Sequence, residues 1–424
     1  MVTTEHEPPN AGVTAARNLP DPVAAAASRP LPLAGVTVLD LGQIYNGPYC
    51  GFLLAMAGAR VIKVERPEGE HLRGRGQTGG AALPFAMLNS NKSAVTLNLK
   101  EPRGRALLER MVKRADVLIE NFAPGAMDRL GVGYEALRAL NPKLVYAQGS
   151  GYGRSGPSRD YPAMDLTVQA MSGVMSITGF PDRPPVKAGP ALGDFLGGVH
   201  LYAGLMTALY ERGQTGQGRL VEVAMQEAVY PTLASSLGLW FDDQGHAPPR
   251  TGNHHGGRSE APYNVYPTRD GFIAIICVGE HHFRSLCTAM GREDLREHPQ
   301  LRTRSLRIAN MALVDEVVGA FTSHHDKQEL FDLLVRNRVP CAPVRELGEV
   351  VHDAHMHERR ALQWVDHPHL GRVVLPGSPL RFEGSEPLTL EPAPDLGRDN
   401  TAIYRDWLGL AAGELDELRT AGVI

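Results

Sequence analysis

Cysteine is scarce: the 424 residues hold four (Cys50, Cys277, Cys287, Cys341), widely spaced and without a C-x-x-C pair. That spacing points to reduced thiols in a cytoplasmic protein, although the even count also allows bridges. A basic excess is also missing. Lys and Arg number 43 against 47 Asp and Glu, a formal charge of −4, so no nucleic-acid partner is expected. No apolar run approaches the ~20 residues of a membrane helix, and the start Met1-Val-Thr-Thr-Glu-His-Glu lacks the basic-then-apolar layout of a secretory signal. Without a Gly-x-Ser-x-Gly elbow, a serine hydrolase is not indicated. The pairs His254-His255, His281-His282 and His324-His325 and the run His352-x-x-His355-x-His357 match no established ligand spacing, so no metal is expected.

What is present is an alternation of strand and helix signals. Runs at 36–41, 60–65, 94–99, 115–120, 143–148 and 219–224 read as strands. Between them, helices are predicted from Gly47-Pro48 to Met56 and over 102–114, the latter with Pro102 in its first turn, and a long one runs to about Arg212. This order predicts an α/β fold with a Rossmann-like doubly wound parallel sheet. The first turn, Leu41-Gly-Gln-Ile-Tyr-Asn-Gly47, lacks G-x-G-x-x-G spacing, which argues against a nicotinamide cofactor. Residues 1–30, rich in Ala and Pro, read as a disordered tail, and 31–230 as the large domain. The polar, Pro-rich stretch 242–250 marks a boundary. A smaller α+β domain is expected over 246–340, with a strand at 271–276 and helices around 281–290 and 311–335. The remainder, 341–424, is read as a linker and a C-terminal segment, helical near 402–408, that returns to the large domain.

One stretch stands apart chemically. In Gly189-Pro-Ala-Leu-Gly-Asp-Phe-Leu-Gly-Gly198, Asp194 is the only ionisable side chain. Flanking glycines let another backbone or a ligand come close. A poorly hydrated, sterically open carboxylate is a plausible nucleophile, although Asp at this point also fits a helix N-cap. Asp165, in Pro162-Ala-Met-Asp-Leu166, reads as the N-cap of a helix over 166–176.

Several segments recur in a familiar order: Gly47-Pro48, Val61-Ile-Lys-Val-Glu-Arg66, Asn89-Ser-Asn-Lys-Ser93, Glu120-Asn-Phe-Ala-Pro-Gly-Ala126, Ser150-Gly-Tyr-Gly153, Gln169-Ala-Met-Ser-Gly173, the Asp194 stretch, Gly213-Gln-Thr-Gly-Gln-Gly218, Ala224-Met-Gln-Glu227 and Pro340-Cys-Ala-Pro-Val344. From about Leu31 to the C-terminus the chain resembles the class III CoA-transferases, the formyl-CoA and carnitine-CoA transferase family, which also contains α-methylacyl-CoA racemases. The resemblance implies a transferase that moves CoA from an acyl-CoA thioester to a free carboxylic acid through an aspartyl-CoA thioester on Asp194. Coenzyme A is then a substrate, with no permanently bound cofactor. Tyr45, Asn46, Arg66, Leu97 to Lys100, Asn121, Phe122, Ala123 and Arg129 fall at the family's CoA-contact positions, Arg66 at the nucleotide end. Gly256-Gly257-Arg258 stands where the formyl-CoA branch has a tetraglycine loop, and Arg258 suits a second carboxylate on the acyl group. Glycine N–H groups at Gly193, Gly197 and Gly198, or in the 256–257 loop, are candidates for oxyanion stabilisation. Asp165 matches a catalytic aspartate of the racemases, so a racemase using it as acid/base is the alternative. Met164 replaces the histidine of those racemases and tilts the reading toward a transferase, with Asp165 supporting the site or contacting CoA. A non-catalytic CoA-binding protein is the third reading. The family resemblance also implies an interlocked homodimer.

Overall fold

The parallel sheet is there, and both of its faces are covered. In the computed structural model, which describes residues 29–74 and 82–424, strands Thr37–Asp40 (β1), Arg60–Glu65 (β2), Ser93–Thr96 (β3), Val117–Glu120 (β4), Val145–Ser150 (β5) and Leu220–Ala224 (β6) pair in the order β3-β2-β1-β4-β5-β6. Every pairing is parallel, with Val38 opposite Val61 on one side and Val117 on the other. Apart from Arg29 and Pro30, the tail expected over 1–30 lies outside the described residues.

Successive side chains of a strand point to opposite faces, and here each face has its own core. Leu39, Ile62, Val64, Leu118 and Tyr146 pack with Leu107, Leu108 and Met111 of the helix Pro102–Val112. Their neighbours Val38, Val61, Val117, Ile119, Val145 and Ala147 pack on the other face with Leu54, Leu201, Leu205 and Ala208, from the helices Asn46–Met56 and Leu192–Thr215. Burial on both sides explains why these strands read as unbroken apolar runs. At about 1.5–3 kcal/mol per buried large apolar side chain, these layers dominate the stabilisation of the sheet.

The C-terminal segment returns to the large domain, as expected. Ile403, Tyr404, Leu415 and Leu418, from the π-helix Thr401–Trp407 and the helix Ala412–Thr420, join the first core. The same segment closes the edge of β3. The Asp399 and Asn400 side chains accept from the N–H groups of Ala94 (2.7 Å) and Thr96 (2.9 Å), and the Tyr404 hydroxyl donates to the Thr96 carbonyl at 2.8 Å. An edge strand whose polar groups are paired offers no template for another chain.

A separate antiparallel sheet, Tyr263–Thr268 (β7), Gly271–Ile276 (β8) and Cys341–Pro343 (β9), carries a core of its own from residues 261–341, including Tyr266, Ile273, Phe283, Leu286, Val314 and Leu330. The hairpin Leu362–His367 (β10) and Gly371–Pro376 (β11) follows. Three local expectations need correction. The helical stretch 311–335 is two helices, Met311–Thr322 and Lys327–Arg336, divided by Ser323-His-His-Asp326. The strand begun at Ala94 ends at Thr96, because the backbone turns at Asn98 to meet the Val423 carbonyl. A further helix, Ala412–Thr420, lies beyond the one expected near 402–408. Among the described residues no helix is long and apolar enough to cross a membrane.

Candidate active site

The strand order reverses between β1 and β4, and in open parallel sheets the crevice beyond the carboxyl ends of such strands is where ligands bind. A cavity of about 390 Å³ opens there, lined by Gln43, Asn46, Asn121–Pro124, Gly149–Tyr152, Arg159–Met164 and Asp194. The loops around it are held from beneath. Lys92, fully buried, donates to the Asp40 carboxylate (2.7 Å), the Pro48 carbonyl (2.9 Å) and the Asn89 side chain (3.0 Å). Lys63, also buried, donates to the Gly42 carbonyl, while the Gly42 N–H donates to Asp40 at 2.8 Å. The loop from Gly42 to Pro48 is thereby pinned at both ends. Burial pulls the Lys92 ammonium down to about 8, against the opposing pull of the Asp40 charge. Across the crevice, the Asn121 amide accepts from the Gln43 N–H (2.7 Å) and donates to the Gln43 carbonyl (2.9 Å). Glu120 accepts from the Phe122 N–H at 2.8 Å and from the Tyr146 hydroxyl at 3.2 Å, and burial pushes its carboxyl up to about 7.

Asp194 sits in the first turn of the helix Leu192–Thr215, 7% exposed, with its side chain on the cavity. It is not the N-cap, which is Ala191. Burial, and secondarily the negative charge of Asp165, raises its pKa from 3.8 to about 7. A carboxylate this basic is a better nucleophile than a solvated one, and near neutral pH much of it is still ionised. Asp165 begins the helix Asp165–Met171 rather than capping it, and it caps a different helix. Its Oδ1 accepts from the N–H groups of Gly193 (2.8 Å) and Asp194 (3.4 Å).

The glycines after Asp194 have a steric role. A methyl group on Gly197 would lie 2.2 Å from the Asn46 side-chain nitrogen, and one on Gly198 2.7 Å from the Asn46 carbonyl oxygen. Their absence of side chains lets the two helices cross closely enough for the Asn46 amide to donate to the Asp194 carbonyl at 3.4 Å. The Asn46 side-chain oxygen is buried without a partner. The oxyanion role expected of these glycines is corrected by the same geometry: Gly197 and Gly198 lie within the helix, where N–H groups bond four residues back, and the Gly193 N–H is given to Asp165.

The other expected residues fall in several different places. Asn46, Asn121, Phe122 and Ala123 line the cavity with Asp194. Tyr45 stacks on Phe195 with ring centroids 5.9 Å apart. Arg129 lines an adjoining cavity together with Arg154 and Arg159, two cations the sequence reading did not single out. Arg66 is half-exposed and donates to the Gly69 carbonyl at 2.6 Å, outside the residues that line the Asp194 cavity. The Leu97 side chain is 2% exposed and belongs to the core, and Lys100 lies exposed at the surface. Gly256 and Gly257 lie against Ser235 and Ser236 of the helix Ala234–Asp242, the Arg258 N–H donates to the His255 carbonyl at 2.8 Å, and Gly256 lines a different, largely apolar cavity with Tyr230 and Trp240. Within one chain they are not brought to Asp194.

Asp194, a buried carboxylate whose pKa is raised to about 7, thus lies at the switch-point crevice of a doubly wound sheet. Comparison with known proteins places the chain in a family. The sequence profile of CoA-transferase family III matches residues 33–400. Formyl-CoA:oxalate CoA-transferase of Streptomyces avermitilis is 36% identical, with 92% of this chain and 99% of that protein covered. Succinyl-CoA–D-citramalate CoA-transferase of Chloroflexus aurantiacus is also 36% identical, covering 93% and 98%. Among solved structures, a CAIB/BAIF family protein from Brucella suis superposes with a TM-score of 0.78 at 32% identity, over 90% of this chain and all of that one. The chain therefore belongs to CoA-transferase family III and is an enzyme of that class.

Proposed function

We propose that the protein exchanges CoA between an acyl-CoA thioester and a free carboxylate, with Asp194 carrying the acyl group and then the CoA. The observation that carries this reading is the Asp194 carboxylate itself, desolvated, raised to about 7 and set on the cavity. A carboxylate oxygen of Asp194 attacks the thioester carbon, the C–S bond breaks, and CoA leaves as thiolate from a mixed anhydride. The thiolate attacks the aspartyl carbonyl, the anhydride C–O bond breaks, and the original acid departs as a carboxylate, leaving an aspartyl-CoA thioester. The acceptor carboxylate then repeats both steps in reverse. One thioester is lost and one formed, so the exchange is nearly balanced, and the enzyme's task is to divide it into accessible steps.

The names of the relatives support a carboxylate acceptor, since oxalate and D-citramalate appear in them. Dicarboxylic acids are the acceptors we favour. The pantetheine arm would run along Asn46 and Asn121–Ala123, with the phosphates toward Arg129, Arg154 and Arg159. Transferase chemistry is favoured over α-proton transfer by Asp165, because both of its oxygens are engaged, Oδ1 by the Gly193 N–H and Oδ2 by Gln169 at 2.7 Å.

We further propose a homodimer in the cytoplasm. Large exposed apolar side chains concentrate between Tyr161 and Phe241, among them Met164, Leu166, Tyr210, Trp240 and Phe241, as on surfaces that pair. A second copy would also supply what Asp194 lacks within one chain, the 256–258 loop. The four cysteines are free thiols, consistent with a reducing compartment. The test of the central reading is hydroxylamine inactivation in the presence of acyl-CoA. Loss of activity that requires the acyl donor supports a covalent thioester, and resistance contradicts it.

A further inference from the structure

We infer that Asp165 and Gln169 are positioning residues for Asp194, clamping the first turn of its helix and confronting the nucleophile with a second carboxylate. The inference rests on the reading of Asp194 as the acyl acceptor. Gln169 is fully buried, and its amide has three partners at once. Its nitrogen donates to Asp165 Oδ2 (2.7 Å) and to the Pro190 carbonyl (3.2 Å), and its oxygen accepts from the Ala188 N–H at 2.9 Å. Asp165 Oδ1 in turn accepts from the N–H groups of Gly193 and Asp194. The lead-in 188–190, the helix Asp165–Met171 and the start of the long helix are thus joined through two side chains. Neither Asp165 nor Gln169 lines the cavity, so they act through Asp194.

A plain helix cap would need no charge, because Ser, Thr or Asn accepts the same N–H groups. Here the cap is a carboxylate set beside another carboxylate. Acylation removes the Asp194 charge and so relieves the repulsion from Asp165, which favours the covalent state over the free one. Other titratable groups share the cavity: His71 from the helix His71–Gly74, and Arg159, Asp160, Tyr152 and Tyr161 from the loop before Asp165. Beside burial, the charge that moves Asp194 is that of Asp165 and not of any of these groups.

The experiment measures hydroxylamine-trappable adduct formation against pH, with acetyl-CoA as donor, per folded active site. In the wild type the acid limb should lie near the value of about 7 given above for Asp194. Asp165→Asn should move that limb to lower pH by about one unit and slow trapping about 10- to 100-fold, with the KM for acyl-CoA changed less than about threefold. Gln169→Met keeps the charge and loosens the frame, so it should slow trapping with the limb unmoved. If Asp165→Asn does not fold, Asp165→Ser, which keeps an acceptor without charge, serves the same purpose. An unmoved limb and wild-type trapping rate in the uncharged variant would overturn the inference. Failure of the underlying reading looks different, since wild-type enzyme would then form no adduct at any pH.

Discussion

Asp194 was singled out in the sequence as the lone ionisable group in a glycine-rich apolar stretch, and it was the resemblance of that stretch to the family's nucleophile segment that favoured a catalytic reading over a helix cap. Its competing assignment as an N-cap failed for a long-range cause. The N–H groups at the start of that helix are taken by Asp165, 28 positions earlier, and no local pattern reports such a bond. The CoA positions carried by resemblance divide similarly. Asn46 and Asn121–Ala123 face the crevice because they follow β1 and β4 at the switch point, whereas Leu97 continues the inward alternation of Val95 into the core. The buried carboxylate has a stability consequence with a definite sign. The Asp194 pKa is raised on folding, so its contribution is full below about pH 4, the unfolded value, and is lost as pH rises through about 7. The cost of ionising it in the fold is of order 2–4 kcal/mol above pH 7. Asp194→Asn should therefore be inactive yet more stable than wild type at pH 8, with the difference shrinking toward pH 4, as urea unfolding at the two pH values will read. Equal stability of the two proteins at pH 8 would contradict the raised pKa.

Among the elements, the crossing of the helices Asn46–Met56 and Leu192–Thr215 is the most sensitive, since two glycines permit it. Gly197→Ala should cost about 1–3 kcal/mol through overpacking and should lower kcat/KM by more than that loss of stability explains, because the added methyl meets the Asn46 amide. Steady-state kinetics on the folded variant checks this. Activity unchanged from wild type would show that Asn46 has no part in the reaction. The C-terminal helix Ala412–Thr420 was missed because its amphipathic pattern is short and follows Pro-rich sequence, yet Leu415 and Leu418 are core residues. Leu418→Ala should destabilise by about 2–5 kcal/mol, measurable by denaturant titration, and it should speed amide exchange in β3, whose edge that segment covers. The strands themselves were legible because a sheet covered on both faces writes continuous apolar runs. Loop destinations were not. The 256–258 loop rests on the helix Ala234–Asp242, a placement set by tertiary packing rather than by any residue within the loop.

For the whole molecule, the exposed apolar side chains between Tyr161 and Phe241 predict self-association, and sedimentation should give twice the monomer mass at micromolar concentration. A strictly monomeric, active enzyme would remove the need for a second copy at the site. The parallel sheet followed from the alternation of strand and helix signals, whereas the strands that pair with 271–276 did not, and a homodimer was implied only by resemblance, since no periodicity encodes it. The most direct measurement of the central claim is the mass of the protein after acyl-CoA is added and the reaction quenched in acid. The account predicts one CoA, less the elements of water, attached per chain to the peptide containing Asp194, and none in Asp194→Asn. Turnover that persists in Asp194→Asn, or an adduct on any other residue, would contradict it.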